Sequence, residues 1–441
     1  MAVLFHSVRL DAEKCQGCTN CIKRCPTQAI RVRNKKAYII SDRCIDCGEC
    51  IRVCPHHAKY AISEHFNELV KYKYRIALPA PALYGQFNNL ENVDYVLTAL
   101  KKMGFDDVVE VSKGAEIISA ATRVMMESGE LKKPVISSAC PAVLRLIRTR
   151  FPNLIKNLLP MCAPVDLAAK IARKKAKETT GYTDEEIGIF FITPCPAKRT
   201  AIQNPLCHEN DGTNGAIAIK DIYPVLVQTM DKLQTEEIEP LNDSGIIGVG
   251  WASSGGEAAG LLKERYLAAD GIENVINVLE ELEDEKLNDL DFIELNCCTG
   301  GCVGGVLTVE NPYVAKARLQ RLRKFMPVSC NSMSADFNWE EIGWTKELTP
   351  SPAMKLADNV IKAMRMMSQL KEIEASLPGL DCGICGAPSC RALAEDIVRG
   401  YAEETDCVLH NIQVGGGKGE EWLPAPFRSK VMGEEEKSDE G

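Results

Sequence analysis

Cys15-x2-Cys18-x2-Cys21-x3-Cys25-Pro26 recurs as Cys44-x2-Cys47-x2-Cys50-x3-Cys54-Pro55 within the first 60 residues of the chain. Three cysteine thiolates on a tight loop can bind three corners of a cubic [4Fe–4S] cluster, and the fourth cysteine then reaches the other cluster. Zinc knuckles would instead show paired CxxC motifs or histidines. The repeat therefore indicates iron–sulfur chemistry at this end of the chain.

The spacing rule assigns each cluster three cysteines from one run and the last cysteine from the other. One set is then Cys15, Cys18, Cys21 and Cys54, and the other is Cys44, Cys47, Cys50 and Cys25. We therefore predict an α+β, ferredoxin-like domain with two [4Fe–4S] clusters over residues 1–62. This segment has 11 basic and 5 acidic residues up to position 60, a charge of +6, so the remainder carries −15. Such a segment can steer an acidic redox partner, or it can simply be a solvated surface.

The composition of the whole chain excludes several classes of protein. Its 441 residues include 45% hydrophobic and 26% charged residues, with 20 cysteines and only 6 histidines. A disulfide scaffold would be short and secreted, and this chain is long, with no basic n-region leading into an apolar core. No apolar run approaches the 18 residues of a membrane-spanning helix. We expect a cytoplasmic protein that binds metal, with neither membrane nor nucleic acid as a partner.

A second cysteine group lies near the C-terminus, as Cys382-x2-Cys385-x4-Cys390-x16-Cys407. It resembles the small four-cysteine [4Fe–4S] domain of electron-transfer and corrinoid iron–sulfur proteins, with structural zinc as the alternative. We predict a small, mostly helical domain over residues 356–412, followed by a flexible acidic tail over residues 413–441. A helix over 354–377 precedes the cysteines, and its apolar side chains, methionines included, are predicted to be core.

The middle of the chain, residues 70–355, alternates strand-like runs with helical patterns such as residues 115–126, which predicts an α/β domain with largely parallel sheets. Ligands bind beyond the carboxyl ends of such strands, and the remaining grouped cysteines, Cys140, Cys195, Cys298 and Cys302, follow predicted strands. Four thiolates from three loops can converge on one metal centre. The predicted strands are Arg75–Leu78, Asp107–Val111, Pro134–Ser137, Ile187–Ile192, Gly245–Val249 and Asp291–Leu295.

Here the sequence resembles the catalytic domain of the [FeFe]-hydrogenases. The family signatures TSCCPxW, MPCxxKK and ExMxCxGGCxxGGG are matched in order at residues 137–143, 193–199 and 294–305. Residues 80–82 resemble the APA segment of the family, and residues 103–110 its LGFDxVxD segment. The resemblance implies interconversion of H2 with protons and electrons in a domain over about residues 70–355.

The resemblance also implies a role for each matching residue. Cys140, Cys195, Cys298 and Cys302 would bind a [4Fe–4S] cluster, with Cys302 bridging to a diiron subsite that carries CO, cyanide and an azadithiolate. Lys198 matches the lysine that contacts a cyanide ligand, with a solvated surface lysine as the alternative. The segments that surround the cofactor add Ala80, Pro81, Ser138 and Pro194.

Three departures from the family pattern bear on the rate of turnover. Ala139 stands where the family has the cysteine that passes protons to the azadithiolate amine. An alanine methyl group can neither donate nor accept a proton. The segment aligned with the relay glutamates, residues 120–125, has no carboxylate. Thr193 and Asn296 replace two methionines that pack on the diiron subsite. Because proton transfer typically contributes 10²- to 10⁴-fold to a rate, we predict low turnover.

Two residues are candidates for a replacement proton relay. Glu257 lies in a segment that flanks the diiron pocket in the family, and Cys297 neighbours a predicted cluster ligand. A helix-capping carboxylate and a buried small hydrophobic residue are the respective alternatives.

We therefore predict a slow [FeFe]-hydrogenase-like oxidoreductase with a ferredoxin-like or other redox partner and with maturation proteins for its diiron subsite. Loss of the relay cysteine together with an added C-terminal cluster domain resembles the sensory branch of the family, so an H2 sensor is one alternative. An iron–sulfur electron-transfer protein without the diiron subsite is the other.

Overall fold

The structure is a computed structural model that describes residues 6–209, 212–331, 339–351, 353 and 355–410. The predicted acidic tail lies outside the described residues. Contacts divide the chain into two compact units, the first with residues 1–9, 45–48 and 61–351 and the second with residues 10–44, 49–60 and 352–441. The second unit thus contains the C-terminal cysteine group and the ferredoxin-like repeat except for its residues 45–48. Among the described residues, no helix combines the length and the apolar character that a membrane span requires.

Two parallel sheets form the first unit, which confirms the predicted α/β class. One sheet has the order β6-β5-β8-β9 and the other the order β10-β11-β7, and every paired strand is parallel to its neighbour. The central strand β8 is buried along its whole length, as expected for a parallel sheet covered on both faces. The strands are β5 (Tyr74–Pro79), β6 (Asp107–Val108), β7 (Val135–Ile136), β8 (Ile187–Thr193), β9 (Gly215–Ala218), β10 (Tyr266–Asp270) and β11 (Phe292–Asn296).

Helices cover both sheets and bury their apolar faces against them. The helices α3 and α8 pack on one face of the larger sheet and α6 on the other, while α4 carries the helix predicted over residues 115–126. The helices of this unit are α3 (Asp94–Lys102), α4 (Val111–Ser128), α5 (Pro141–Arg150), α6 (Pro164–Thr180), α7 (Pro196–Gln203), α8 (Ile219–Met230), α9 (Ile246–Gly250), α10 (Gly256–Gly260), α11 (Ile272–Glu283), α12 (Pro312–Leu322) and α13 (Trp339–Ile342).

The predicted strand Gly245–Val249 is wrong, because residues 246–250 form the short helix α9. A short buried apolar run fits either structure, and periodicity does not separate them. Gly248 lies so close to α4 that a Cβ there would be 2.2 Å from the Ser112 carbonyl oxygen. The glycines that interrupt this run therefore permit close helix packing. The strands β9 and β10 were not predicted, since small residues dominate the first and two alanines the second.

The second unit contains short elements around its cysteines. The strands β2 (Ile30–Arg33) and β3 (Lys36–Ile39) pair antiparallel. This unit also contains α1 (Asn20–Lys23), α2 (Glu49–Arg52) and most of β4 (Lys59–Ala61), whereas most of β1 (Val8–Leu10) belongs to the first unit. The C-terminal part has α14 (Val360–Ser376) and α15 (Cys390–Val398), and it is mostly helical as predicted.

The prediction that the methionines of α14 belong to the core is wrong for the described residues. Met364 is 69% and Met367 37% exposed, and Val360 and Ile361 are exposed as well. Only the second half of α14 packs on α15, through Leu370 and its neighbours. Met354 lies outside the described residues.

Candidate functional site

Loops that follow strands of both parallel sheets line one large cavity in the first unit. Its walls come from the segments after β5, β7, β8 and β11. Strands of a parallel sheet all end at one edge, so their carboxyl-terminal loops meet there. In this chain two such edges contribute to the same cavity. Residues that are more than 200 positions apart in the sequence therefore meet in its walls.

The four cysteines that the sequence predicts for the catalytic cluster all line this cavity: Cys140, Cys195, Cys298 and Cys302. Lys198 lines it too, and its Nζ donates a hydrogen bond to the Cys302 thiol at 3.4 Å. Burial opposes the charge on Lys198, but Cys302, Cys195 and Cys140, as the thiolates that metal binding would produce, raise the pKa of the amine above its usual value. An ammonium group therefore faces the cysteine that would bridge two metal centres.

The donor set fits an iron–sulfur cluster. Burial raises the pKa of the Cys140 thiol to about 11 and that of Cys195 well above its ordinary value. Without metal these thiols keep their protons at neutral pH, whereas a metal ion deprotonates a coordinating thiol outright. The remaining space is lined on one side by apolar residues such as Ala80 and Pro81, as the family resemblance predicts.

A polar wall of the same cavity contains two buried carboxylates. The Ser137 hydroxyl donates a hydrogen bond to Glu257 Oε2 at 2.6 Å, and the Ala139 amide donates to Ser137 Oγ at 3.2 Å. Burial, followed by the neighbouring Glu294 carboxylate, raises the pKa of Glu257 to about 8. Glu294 accepts hydrogen bonds from the amides of Gly255 and Ala258 at 3.0 and 2.9 Å. Among the described residues, Glu257 accepts a hydrogen bond only from the Ser137 hydroxyl and from no backbone amide, and its pKa of about 8 makes it the member of the pair that keeps a proton at neutral pH.

Cys297 faces a different part of the site. It is 3% exposed and lines the cavity together with Cys47, a predicted ligand of a ferredoxin-type cluster. Hydrogen bonds to the thiols of Cys298 and Cys47, together with burial, raise the pKa of Cys297 well above its ordinary value. Its thiol thus lies between one predicted ligand of the catalytic cluster and one of an accessory cluster.

Two of the predicted cofactor-binding residues are not among the lining residues of this cavity. Ser138 lines an adjacent cavity and donates a hydrogen bond to the Met161 carbonyl oxygen at 3.1 Å. Pro194 packs against Gly305, where a Cβ would lie 2.3 Å from its carbonyl oxygen. Of the two residues that replace family methionines, Asn296 lines the cavity, whereas the Thr193 hydroxyl bonds to the backbone of Cys195.

The remaining predicted cluster cysteines, except Cys47, lie in the second unit. One small cavity there is lined by Cys15, Cys18, Cys21 and Cys54, the set that takes its last member from the other run. Another is lined by Cys382, Cys385, Cys390 and Cys407. Between Cys390 and Cys407, the helix α15 ends at Val398. Cys25, Cys44 and Cys50 also belong to this unit, while Cys47 belongs to the first.

Lys59 lines the cavity of Cys15, Cys18, Cys21 and Cys54, and the sequence analysis missed it. It is 3% exposed, and its Nζ is buried without a hydrogen-bond partner in the part of the chain that the structure describes. A buried ammonium without a partner is costly, and an anionic cluster held by four thiolates would compensate it. A comparison of the two runs could have identified this lysine. The position that corresponds to Lys59 in the first run is Ile30, a buried apolar residue, so a lysine at this position is unusual.

Replacing Lys59 by isoleucine, the residue of the other run, is expected to lower the midpoint potential of this cluster. Reduction adds negative charge, which a nearby ammonium stabilises, so loss of the ammonium favours the oxidised state by roughly 50–100 mV. An electron paramagnetic resonance redox titration measures the potential. Lys35→Asn is the control, because it removes a solvent-exposed lysine of the same segment at a position with φ of +61°, which asparagine tolerates. Equal shifts in both variants would show that the effect comes from net charge alone.

The chain is similar to known iron hydrogenases along most of its length. The family model for the iron-only hydrogenase large subunit, C-terminal domain, matches residues 73–266 and 257–306, more than half of the chain. A 4Fe-4S dicluster domain matches residues 7–55, and an Fe-S cluster domain matches residues 377–409.

Individual relatives are distant. Iron hydrogenase 1 of Clostridium pasteurianum is 24% identical over 374 residues, which cover 68% of this chain and 64% of that protein. The NADP-reducing hydrogenase subunit HndD of Solidesulfovibrio fructosivorans is 22% identical over 116 residues, 24% of this chain and 20% of that one. The chain thus spans less than two thirds of either relative.

Among solved structures, an [FeFe]-hydrogenase HydA1 variant from Chlamydomonas reinhardtii is 15% identical, with a TM-score of 0.45 over 67% of this chain and 93% of that one. Because the family model spans the strands, the loops and all four cysteines of the large cavity, the chain belongs to the iron-only hydrogenase family.

Proposed function

We propose that this protein interconverts H2 with protons and electrons, slowly, at a [4Fe–4S]–diiron centre in the large cavity. The observation that carries the proposal is the meeting of Cys140, Cys195, Cys298 and Cys302 with the Lys198 ammonium in one largely apolar cavity. When bound, the diiron subsite supplies the redox chemistry of hydrogen. The residues of the chain bind it, exclude water and move protons and electrons to and from it.

We propose Ser137 and Glu257 as the proton route that replaces the missing relay cysteine. Both line the cavity beside Ala139 and are joined by a hydrogen bond of 2.6 Å. A carboxyl group with a pKa of about 8 is suited to accept and donate protons near neutral pH. Burial raises this pKa most, and the charge of the adjacent Glu294, itself 3% exposed, raises it further. Cys297 is the weaker relay candidate, because its thiol contacts Cys47 rather than this wall.

Infrared spectroscopy of Glu257 itself should detect this proton. Since the pKa is raised, the carboxyl group is protonated below about pH 8 and ionised above it. We expect a protonated-carboxyl band at pH 6 that disappears as the pH rises through about 8. The band should be missing from Glu257→Gln at every pH. A band that persists unchanged in that variant would belong to another group.

Electrons would leave through the accessory clusters to a ferredoxin-like or other redox protein. Cys297 supports this assignment, since its thiol lies between Cys298 and Cys47, a predicted ligand of each cluster. Insertion of the diiron subsite would require dedicated maturation proteins, as the family resemblance implies.

The test is infrared spectroscopy in the carbonyl and cyanide region after reconstitution with a synthetic diiron complex, with and without H2. Bands that appear on reconstitution and shift under H2 are expected. Absence of such bands from protein that contains its full iron and sulfide would overturn the proposal and leave an iron–sulfur electron-transfer protein. Cys302→Ala is the control, because it removes the proposed bridge.

An H2 sensor is the second candidate, and Ala139 favours it. Its methyl group leaves the cavity wall without a proton donor at that position, which a sensor tolerates better than an enzyme. Shifting infrared bands together with turnover too slow to measure would favour the sensor. Measurable H2 production with a reduced dye would favour the enzyme.

A further inference from the structure

The C-terminal cysteine segment is attached to the ferredoxin-like segment by a buried ion pair within the second unit. Arg31 is fully buried, and its Nε and Nη2 lie 2.6 and 3.1 Å from the two carboxylate oxygens of Asp396 on α15. Charges withdrawn from water are costly unless their geometry and hydrogen bonding are good, and a bidentate guanidinium–carboxylate pair provides both. This contact therefore holds the two segments in one defined arrangement.

Three more basic residues of the ferredoxin-like segment bind to the C-terminal cysteine segment. Arg33 reaches Asp396 Oδ2 at 3.3 Å and the Cys385 carbonyl oxygen at 2.5 Å. Arg43 pairs with Glu395, and Lys23 donates to the carbonyl oxygen of Asp381. Part of the positive charge of the ferredoxin-like segment is thus used to bind the C-terminal cysteine segment of the same chain.

A direct backbone hydrogen bond connects the two cysteine sites. The Val32 amide donates to the Gly386 carbonyl oxygen at 2.8 Å. Gly386 follows Cys385, and Val32 lines the cavity of the first ferredoxin-type site. Gly386 has φ of +80°, and a Cβ there would lie 1.9 Å from the Val32 carbonyl oxygen, so any side chain is excluded.

A second close approach lies beside the first. A Cβ on Gly383, next to Cys382, would lie 3.4 Å from Cδ1 of Ile22, which follows Cys21. The Lys23 side chain comes closer still, with its Cε 2.8 Å from the same Cβ position, so two consecutive residues that follow Cys21 pack against the loop of the C-terminal site. Short separations through packed and hydrogen-bonded atoms favour electron transfer.

We propose that the C-terminal four-cysteine site and the site of Cys15, Cys18, Cys21 and Cys54 form an electron-exchange pair. One electron passes from the reduced cluster of one site to the oxidised cluster of the other, so the first is oxidised and the second reduced by one electron. No proton or further reactant takes part. The inference rests on the iron–sulfur clusters of the proposed function but not on its hydrogen chemistry.

Electron paramagnetic resonance of the full chain, reduced with dithionite, tests the pair without the diiron subsite. Two reduced clusters that are close together broaden and split each other's signals. We expect this interaction in the wild type. It should diminish in Cys382→Ser, which removes an exposed ligand of the C-terminal site, and in Asp396→Asn, which breaks the buried ion pair. Glu374→Gln, which breaks the exposed pair with Arg391, should leave the signal unchanged.

Iron and sulfide analysis separates failure of this inference from failure of the proposed function. If the wild type contains both clusters and the signals of its other clusters are the same as in Cys382→Ser, which lacks the C-terminal cluster, the pair does not exist. If either site binds no iron, the cluster assignment itself is wrong. Should Asp396→Asn fail to fold, the comparison of wild type with Cys382→Ser decides alone.

Discussion

Replacing Glu257 by glutamine is expected to lower H2 turnover by roughly 10²- to 10⁴-fold in protein that carries its diiron subsite. Glutamine keeps the shape of the side chain and can still accept a hydrogen bond from Ser137, but it cannot take up or release a proton. Ala139 offers no alternative donor at this wall. H2 evolution with a reduced dye measures the rate.

The pH dependence of the wild type supplies a second readout. H2 evolution needs a proton donor, and the Glu257 carboxyl group loses its proton as the pH rises through about 8. The rate should therefore fall in that range. Glu257→Asp, which keeps a carboxyl group, should retain more activity than Glu257→Gln.

A matched control is the same substitution at Glu110. This carboxylate is also buried, with its pKa raised by burial, but it accepts a hydrogen bond from Tyr84 at 2.8 Å and is not among the residues that line the cavity. Glu110→Gln should leave the pH profile unchanged. Undiminished turnover in Glu257→Gln would exclude Glu257 as the relay.

Replacing Lys198 by methionine is expected to lower retention of the diiron subsite by roughly 10- to 100-fold. The ammonium lies 3.4 Å from Cys302 Sγ, and the surrounding thiolates raise its pKa, so it stays charged. Methionine has similar length without charge, which leaves an anionic group in this cavity uncompensated. The intensity of the carbonyl and cyanide bands per cluster after reconstitution measures retention.

Lys198→Arg keeps the charge and should retain more of the subsite than the methionine variant. Lys113→Met, which breaks a surface ion pair with Asp243, controls for the substitution itself. Equal band intensities in Lys198→Met and wild type would show that hydrogen bonds and packing hold the subsite without this charge.

Features that depend on local spacing could be predicted from the sequence. The repeat predicts that Cys54, the last cysteine of the second run, binds the cluster of the first run. The structure places Cys54 in the same cavity as Cys15, Cys18 and Cys21. The alternation of strands and helices predicted parallel sheets and the loops that carry Cys140 and Cys195. The strand predicted over residues 245–249 failed because close packing against α4, not the apolar run, decides the structure there.

The sequence by itself determined the fold class and the candidate ligands. These depend on cysteine spacing, on the repeat and on the alternation of strands and helices, which are all patterns among residues close together in the sequence. Only the tertiary structure decided which polar groups meet across long separations. Ser137 and Glu257 are 120 positions apart, and Arg31 and Asp396 are 365 apart. Such pairs have no periodicity to reveal them, because burial and long-range packing select them. The structure reveals the buried Nζ of Lys59 for the same reason, since no hydrogen-bond partner for it lies among the described residues.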